Sequence, residues 1–312
     1  MQRLIIIILL LAAGFVSFMA CDMLTISDEA LEYPTVYSKI ELGELEALNQ
    51  DYQELNNGRL CSTLNEFGFT GFSEILFVNG QNPCERRFRD VIRIEMTNTD
   101  TLLSAAMRVL YMNREYTGVQ DPNQLKLKSM SPQPGCINCG EVDEYSANIE
   151  WSLTFENQYV DSAEVLGTEI VVFLDALGVN RIWGNWYPDF KTPDFINFGY
   201  VDVQEEMTGM EIDMEPYTGQ DTTYIVQAQD FQEIPTKVHY PRERDNGNEL
   251  EIRTCWAIPI QYGMNETFPG WMAYVDIEEG ILVDLISRTS EDQTFFSGQQ
   301  NKNVTFSDQP SL

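Results

Sequence analysis

Hydrophobic and polar positions change period several times along the chain, and each change marks an element. Residues 4–20 are uncharged and apolar, preceded by Arg3 and closed by Cys21. A short basic start followed by such a run is the layout of an export signal, so the chain is expected to leave the cytoplasm. Residues 22–37 show no period and read as a tether. From 40 to 55 the apolar residues Leu42, Leu45, Leu48, Tyr52 and Leu55 recur at steps of three and four, which predicts a helix. A second helix is predicted over 101–114, with Asp100 as its cap, Leu103, Met107 and Leu110 on one face and Gly118 as its stop. Between them, 72–78 and 88–96 read as strands separated by Asn79-Gly80 and Asn82-Pro83. Residues 132–140 read as a loop punctuated by Pro and Gly, after which Ile149, Trp151, Leu153 and Phe155 alternate as a strand with one buried face.

The centre of the pattern is 165–183. Residues 165–174 form a β-branched run, 175–178 supply turn chemistry, and 179–183 resume the apolar pattern, so a hairpin is predicted. About a hundred residues on, the same scheme recurs with 271–276, a turn at Gly280 and 281–286. Between the two lie a linker at 188–193 and a helix over 203–212 capped by Asp202 and burying Val203, Met207 and Met210. A turn at 245–248 then leads into an alternating strand at 250–258. Residues 289–312 are polar. The expected fold is α+β, two small antiparallel sheets each packed against a helix.

Phe155, Gln158, Tyr159, Val165, Gly167, Glu169, Asp175, Gly178 and Gly184 resemble the FTP module of prosegments in fungalysin- and thermolysin-like metallopeptidases. Residues 250–260, 270–276 and 280–282 resemble the PepSY module that follows it there. The resemblance covers about 146–288. It departs from the family at 161–163, where Asp161-Ser162-Ala163 stands in place of the glycine after Gln-Tyr. It implies a PepSY- or cystatin-like α+β fold and action on a peptidase as inhibitor or chaperone. Residues 18–21, Phe-Met-Ala-Cys, resemble a bacterial lipoprotein signal, which implies lipidation at Cys21; ordinary cleavage and an uncleaved anchor are the alternatives. The expected organisation is a signal at 1–20, a tether at 21–37 and an N-terminal region at 38–190 ending in the FTP-like module at 146–190. A PepSY-like module at 191–288 and a tail at 289–312 complete it.

Charge narrows the partners. With 49 acidic against 19 basic residues the formal net charge is −30, a field that repels phosphate backbones and disfavours nucleic acid. The acids are scattered, as on a solvated surface, and 43% hydrophobic with 22% charged is the balance of a folded protein.

Candidate chemistry is sparse. His239 is the single histidine and no H-E-x-x-H occurs, so the ligands and base of zinc proteolysis cannot be assembled; a Ser-His-Asp or Cys-His arrangement would have to use His239, which reads as a packed strand residue instead. Cys61, Cys84, Cys136 and Cys139 are disulfide candidates suited to an exported chain, and with Cys255 the number left after Cys21 is odd. Cys136-Ile-Asn-Cys139 also admits a redox or a metal reading. The redox reading wants a helix where a strand is predicted, and Cys61 and Cys84 lack the knuckle spacing of a zinc partner. Asp245 to Glu251 lacks the ligand alternation of a calcium loop and reads as a turn. Trp183 and Trp256 read as core, whereas Trp186 and Tyr187, beside Pro188, are the candidate exposed anchors. The expectation is an envelope lipoprotein without catalytic residues, metal or cofactor, binding a secreted peptidase or another envelope protein. A structural or glycan-binding surface lipoprotein is the alternative.

Overall fold

The central hairpin forms, though its first strand begins later than the β-branched run suggests. The computed structural model describes residues 32–74, 98–137, 140, 142, 144–219, 221–262 and 268–288. In chain order these form β1 (Thr35–Ser38), α1 (Leu42–Leu55), β2 (Ser62–Leu64), β3 (Thr70–Glu74), α2 (Thr99–Met112), α3 (Arg114–Thr117), β4 (Leu127–Ile137) and β5 (Tyr145–Phe155). There follow β6 (Tyr159–Val160), β7 (Ala163–Val165), β8 (Glu169–Asp175), β9 (Gly178–Asn185) and α4 (Tyr200–Met207). The chain continues with β10 (Glu211–Asp213), α5 (Glu215–Thr218), β11 (Thr223–Ile225), β12 (Thr236–Glu243), β13 (Glu249–Gln261), β14 (Gly270–Asp276) and β15 (Leu282–Arg288).

These strands correct the expected α+β pair of small antiparallel sheets, because the described protein is mostly β and its largest sheet is mixed. Seven strands run in the order β15-β14-β13-β12-β7-β6, with β1 added beside the first half of β13; β7 lies parallel to β12 and the other pairs are antiparallel. A four-stranded antiparallel sheet runs β4-β5-β8-β9, and β2-β3 and β10-β11 form two-stranded sheets. The large sheet draws on both regions expected from the sequence, since β6 and β7 precede residue 190, and β1 takes Thr35–Tyr37 from the end of the expected tether, which is therefore part of the fold there. Strands of two to four residues carry no readable period, and their partners lie far along the chain. The β-branched run is divided for the same reason: Ala163–Val165 joins the large sheet and Glu169–Asp175 the small one, with the turn at Gly167 between them.

The four-stranded sheet buries one face. Leu153, Phe155, Ile170, Val172, Leu174 and Ile182 meet Tyr52 of α1 and Leu102, Ala106 and Leu110 of α2. The α2 cap is Asn98, whose side-chain Oδ1 accepts the N–H groups of Asp100 and Thr101, so Asp100 lies inside the first turn. The buried stripe accordingly runs through Leu102 and Ala106, with Leu103 and Met107 at its margin. The expected loop at 132–140 is overturned over 132–137, which belong to β4. As the edge strand of its sheet β4 tolerates Pro132 and Pro134, whose missing N–H groups interrupt no inner ladder. Of the strands expected in the 72–96 region, β3 takes the start and the rest lies outside the described residues.

The large sheet buries a second core. Val203 and Met207 of α4 pack on Ile258, Ile260, Trp271, Ala273 and Val275. Tyr217, Tyr224, Tyr262 and Phe268 ring the fully buried Trp271, with centroids 5.0 to 5.7 Å from it. The helix is shorter than predicted, ending at Met207 ahead of Gly209, and Asp202 is its third residue; its carboxylate accepts the N–H of Gly199 at 3.1 Å. The expected linker at 188–193 is packed: Phe190 joins a cluster with Val165, Tyr187 and Ile252, and Lys191 N–H donates to Thr35 Oγ1 at 2.8 Å.

The two hairpins share one backbone device. Gly184 in β9 has φ +123°, and a Cβ there would stand 1.7 Å from the Glu169 carbonyl oxygen; Gly270 in β14 has φ +125° and would stand 2.0 Å from that of Ile260. Only glycine lets the partner strand approach so closely in this conformation.

Candidate functional site

The residues that carry the FTP resemblance hold the fold together. Gln158 is buried, and its amide meets the backbone of Tyr187 twice: Nε2 donates to the Tyr187 carbonyl at 2.8 Å and Oε1 accepts the Tyr187 N–H at 3.1 Å. Its own N–H donates to Thr168 Oγ1 at 2.9 Å, and the Thr168 hydroxyl donates to the Val165 carbonyl at 2.6 Å. Asp175 closes the first hairpin, accepting from the Leu177 N–H at 2.7 Å, from Asn180 Nδ2 at 3.2 Å and from the Arg59 guanidinium. Arg59 also donates to the carbonyls of Gly178 and Val179, so one cation reads the whole turn. A carboxylate with this many donors is a turn anchor, not a reactive group.

His239 is fully buried. Nε2 lies 2.9 Å from the Val160 carbonyl, which can only accept, so the proton sits on Nε2 and Nδ1 accepts from the Thr254 hydroxyl at 3.1 Å. Phe190 packs edge-on at 5.1 Å. Burial pushes the imidazole below its ordinary pKa, against the opposing pull of the Val160 carbonyl, so the ring is neutral at pH 7. With both nitrogens engaged and no exposed face, it offers a substrate nothing.

Beside it, the gap along β13 between the ends of β1 and β14 is filled by Tyr33. Its hydroxyl accepts the Thr254 N–H at 3.0 Å and donates to Asp276 Oδ2 at 2.7 Å; burial, then the bond to Asp276, raises its pKa. Asp276 also accepts from Arg253 at 2.9 Å and from the N–H groups of Glu278 and Glu279. Arg253 reaches Glu251 at 3.0 Å and Glu279 at 2.8 Å, and Glu251 takes further donors from Arg242 and Arg244. Burial alone would raise the pKa of Glu251, but the Arg244 and Arg253 hydrogen bonds hold it below the usual carboxylate range. Breaking one member of such a buried network strands the others, so it acts as a clamp on the sheet. Cys255, on the same strand, is a buried free thiol whose pKa is pushed well up by burial, and it is inert in the folded state.

Of the residues singled out from sequence, Cys21, Cys84 and Cys139 lie outside the described residues, and Cys136 is placed by its backbone, opposite Ser146 in β4-β5. Cys61 is buried and disulfide-bonded. Tyr187, expected as an exposed anchor, is buried, with Tyr37 stacked at 6.5 Å and Phe69 edge-on at 6.4 Å. Its partner Trp186 is half-buried against the core of the small sheet. The 245–248 segment is a turn, closed by Gly247 N–H to the Arg244 carbonyl at 2.8 Å, with Glu249 and Glu251 both turned to Arg244. Among the described residues no three His, Cys, Asp or Glu side chains gather as a metal site, and no helix is long and apolar enough to cross a membrane.

Sequence reasoning missed an exposed apolar surface around the start of α4. The N–H groups of Asn197 and Phe198 both donate to the Ile277 carbonyl, at 3.0 and 3.1 Å, and the Asn197 amide donates to the Glu278 carbonyl at 3.0 Å. The Phe198 ring lies against Gly280, and Trp256 Nε1 donates to the Phe198 carbonyl at 2.9 Å. The segment before α4 is thereby tied to the β14-β15 turn, and Phe195, Ile196, Tyr200 and Val201 on the one element and Ile281 and Leu282 on the other all remain exposed. These six are 74, 54, 39, 52, 46 and 44% exposed. Val201 faces out because Val203, two positions on, faces the core; Leu282, opposite Val275, is left part-exposed on the edge strand β15. Together they expose on the order of a few hundred Å², in the range of the largest apolar patch on a monomer.

In comparison with family models, with curated proteins and with solved structures, nothing matches the chain.

Proposed function

We propose that the chain is a non-catalytic protein of the cell envelope, held to a membrane by lipid on Cys21, that binds another folded protein and acts on a secreted peptidase as inhibitor or chaperone. The observation that carries the binding half is the exposed apolar surface of Phe195, Ile196, Tyr200, Val201, Ile281 and Leu282. Apolar surface of this size costs solubility in a monomer, and a partner that covers it removes the cost. The non-catalytic half is supported by the buried, doubly bonded His239 and by the anchoring roles of Gln158 and Asp175. The peptidase and the FTP and PepSY modules come from the resemblance, and the lipid from the apolar run that ends at Cys21.

The test is to mix the purified chain with peptidases secreted by the same cell and to follow both complex formation by size-exclusion chromatography and peptidase turnover. A complex lost in the Phe195→Asp/Ile281→Asp variant, whose circular dichroism matches the parent, is the expected result. A complex that survives this double substitution, or none with any secreted protein, sinks the reading. Mass spectrometry of the cell-derived protein tests the anchor, which requires a diacylglyceryl group on Cys21.

A further inference from the structure

The apolar surface sits in an unbalanced electrostatic setting. Residues 194–206 and 276–282 contribute Asp194, Asp202, Glu205, Glu206, Asp276, Glu278 and Glu279, and neither stretch contains a Lys or an Arg. Three of these acids are engaged locally: Asp194 pairs with Lys191, Asp202 caps Gly199, and Asp276 is buried in the Arg253 network. Glu205 and Glu206 stand exposed on α4. Glu279 is half-exposed although it meets Arg253, and Glu278 Oε2 is buried without a hydrogen-bond partner.

Resting on the protein-binding reading above, we propose that this surface recognises a polypeptide segment with an apolar centre flanked by Lys or Arg. The apolar centre covers Phe195, Ile196, Val201, Ile281 and Leu282, and the flanking cations meet Glu205 and Glu206 on one side and Glu278 and Glu279 on the other. The apolar area falls short of the about 800 Å² that each partner buries in a stable complex, so the charged rim supplies the remainder. An anionic membrane surface is disfavoured as occupant, because it would meet both this rim and a chain of net charge −30.

The experiment uses the purified full chain and two short synthetic peptides with one Leu/Phe centre, flanked by lysines in the first and by glutamates in the second. Binding is read by fluorescence anisotropy, and vesicles of phosphatidylcholine or phosphatidylglycerol form a parallel arm. The lysine-flanked peptide is expected to bind at least about tenfold more tightly than the glutamate-flanked one, because like charges at a rim are strongly disfavoured. Its affinity should fall several-fold between about 0.05 and 0.5 M salt, where exposed charges become screened. Glu205→Lys/Glu206→Lys should weaken it about tenfold and Phe195→Asp/Ile281→Asp should abolish it, both variants keeping the parent circular dichroism. Equal binding of the two peptides, with no salt dependence, overturns the charge complementarity and leaves the surface a docking site of other chemistry. Binding of neither peptide, with or without vesicle binding, overturns this inference, while the protein-binding reading falls only if the size-exclusion test finds no complex.

Discussion

Removing the Gln158 side chain should loosen the junction at which β9 leaves the small sheet and the chain turns toward the large one. The amide serves the N–H and the C=O of Tyr187 at once, from a site in which Gln158 and Tyr187 are both buried. Gln158→Leu keeps the bulk and removes both partners. Each buried backbone group left without a bond costs about 1–3 kcal/mol, so the pair predicts a loss of about 2–6 kcal/mol, the lower end applying if water enters. For a chain of this size that corresponds to a fall in melting temperature of about 3–10 °C. Urea titration at 25 °C should show a lower midpoint at an unchanged slope. Gln158→Glu is the informative second variant. At neutral pH its carboxylate can accept the Tyr187 N–H but faces the carbonyl with another acceptor, so its folded pKa is raised. A raised folded pKa favours the folded state below the unfolded value of about 4.3 and loses that advantage as pH rises, so its deficit against the parent should narrow in acid. A Gln158→Leu protein within about 0.5 kcal/mol of the parent would refute the reasoning, since the two bonds would then be replaceable at no cost.

Two further substitutions test other parts of the fold. His239 has a folded pKa below its unfolded value of about 6.5, so the unfolded chain takes up this proton first as pH falls. The parent should therefore lose stability from about pH 6.5 downward, at up to about 1.4 kcal/mol per pH unit, relative to His239→Gln; parallel pH profiles for the two proteins would dismiss the buried neutral ring. Gly184→Ala forces a methyl group onto the Glu169 carbonyl at a positive φ and should cost at least about 2–3 kcal/mol in urea titration, and a neutral result would mean that the two strands are not so close.

Periods longer than about seven residues were legible and shorter pieces were not. Leu42 to Leu55, Ile149 to Phe155, the two hairpins and the alternation at 250–258 all appear where the hydrophobic pattern places them, within a few residues. The topology did not follow, because β1, β6 and β7 have between two and four residues and pair with β12, β13 or each other. In the sequence Ala163-Glu164-Val165 is indistinguishable from the start of the run that follows it. What separates them is a local event, the turn at Gly167 with the Thr168 hydroxyl bonded to Val165, and no period reports such an event. Pro132 and Pro134 misled for a related reason. Proline excludes a central strand, but which strand lies at the edge is settled by the whole sheet.

The contrast between Tyr187 and Phe195 shows why the surface was harder to read than the fold. Both are aromatic residues near a proline in a stretch without period, and on local grounds either could anchor a partner. Trp186 continues the inward positions of Ile182 and Gly184 in β9, so that parity already argued against its exposure. Tyr187 faces the other way but is met by Tyr37 and Phe69 from a distant part of the chain, while Gln158 holds its backbone. Phe195 and Ile196 have no such neighbours. Their segment is held instead by backbone bonds from Asn197 and Phe198 to Ile277, which leave the preceding side chains exposed, as Ile281 and Leu282 are. Burial of the first and exposure of the second both depend on contacts between residues distant in the chain, and composition along the chain carries no trace of them. The acidic character of the second surface was in view from the start as part of a net charge of −30, and read there as general solvation. Only when the fold brings Glu205, Glu206, Glu278 and Glu279 to the edge of one apolar patch does part of that charge acquire a direction, and with it a chemistry for the partner.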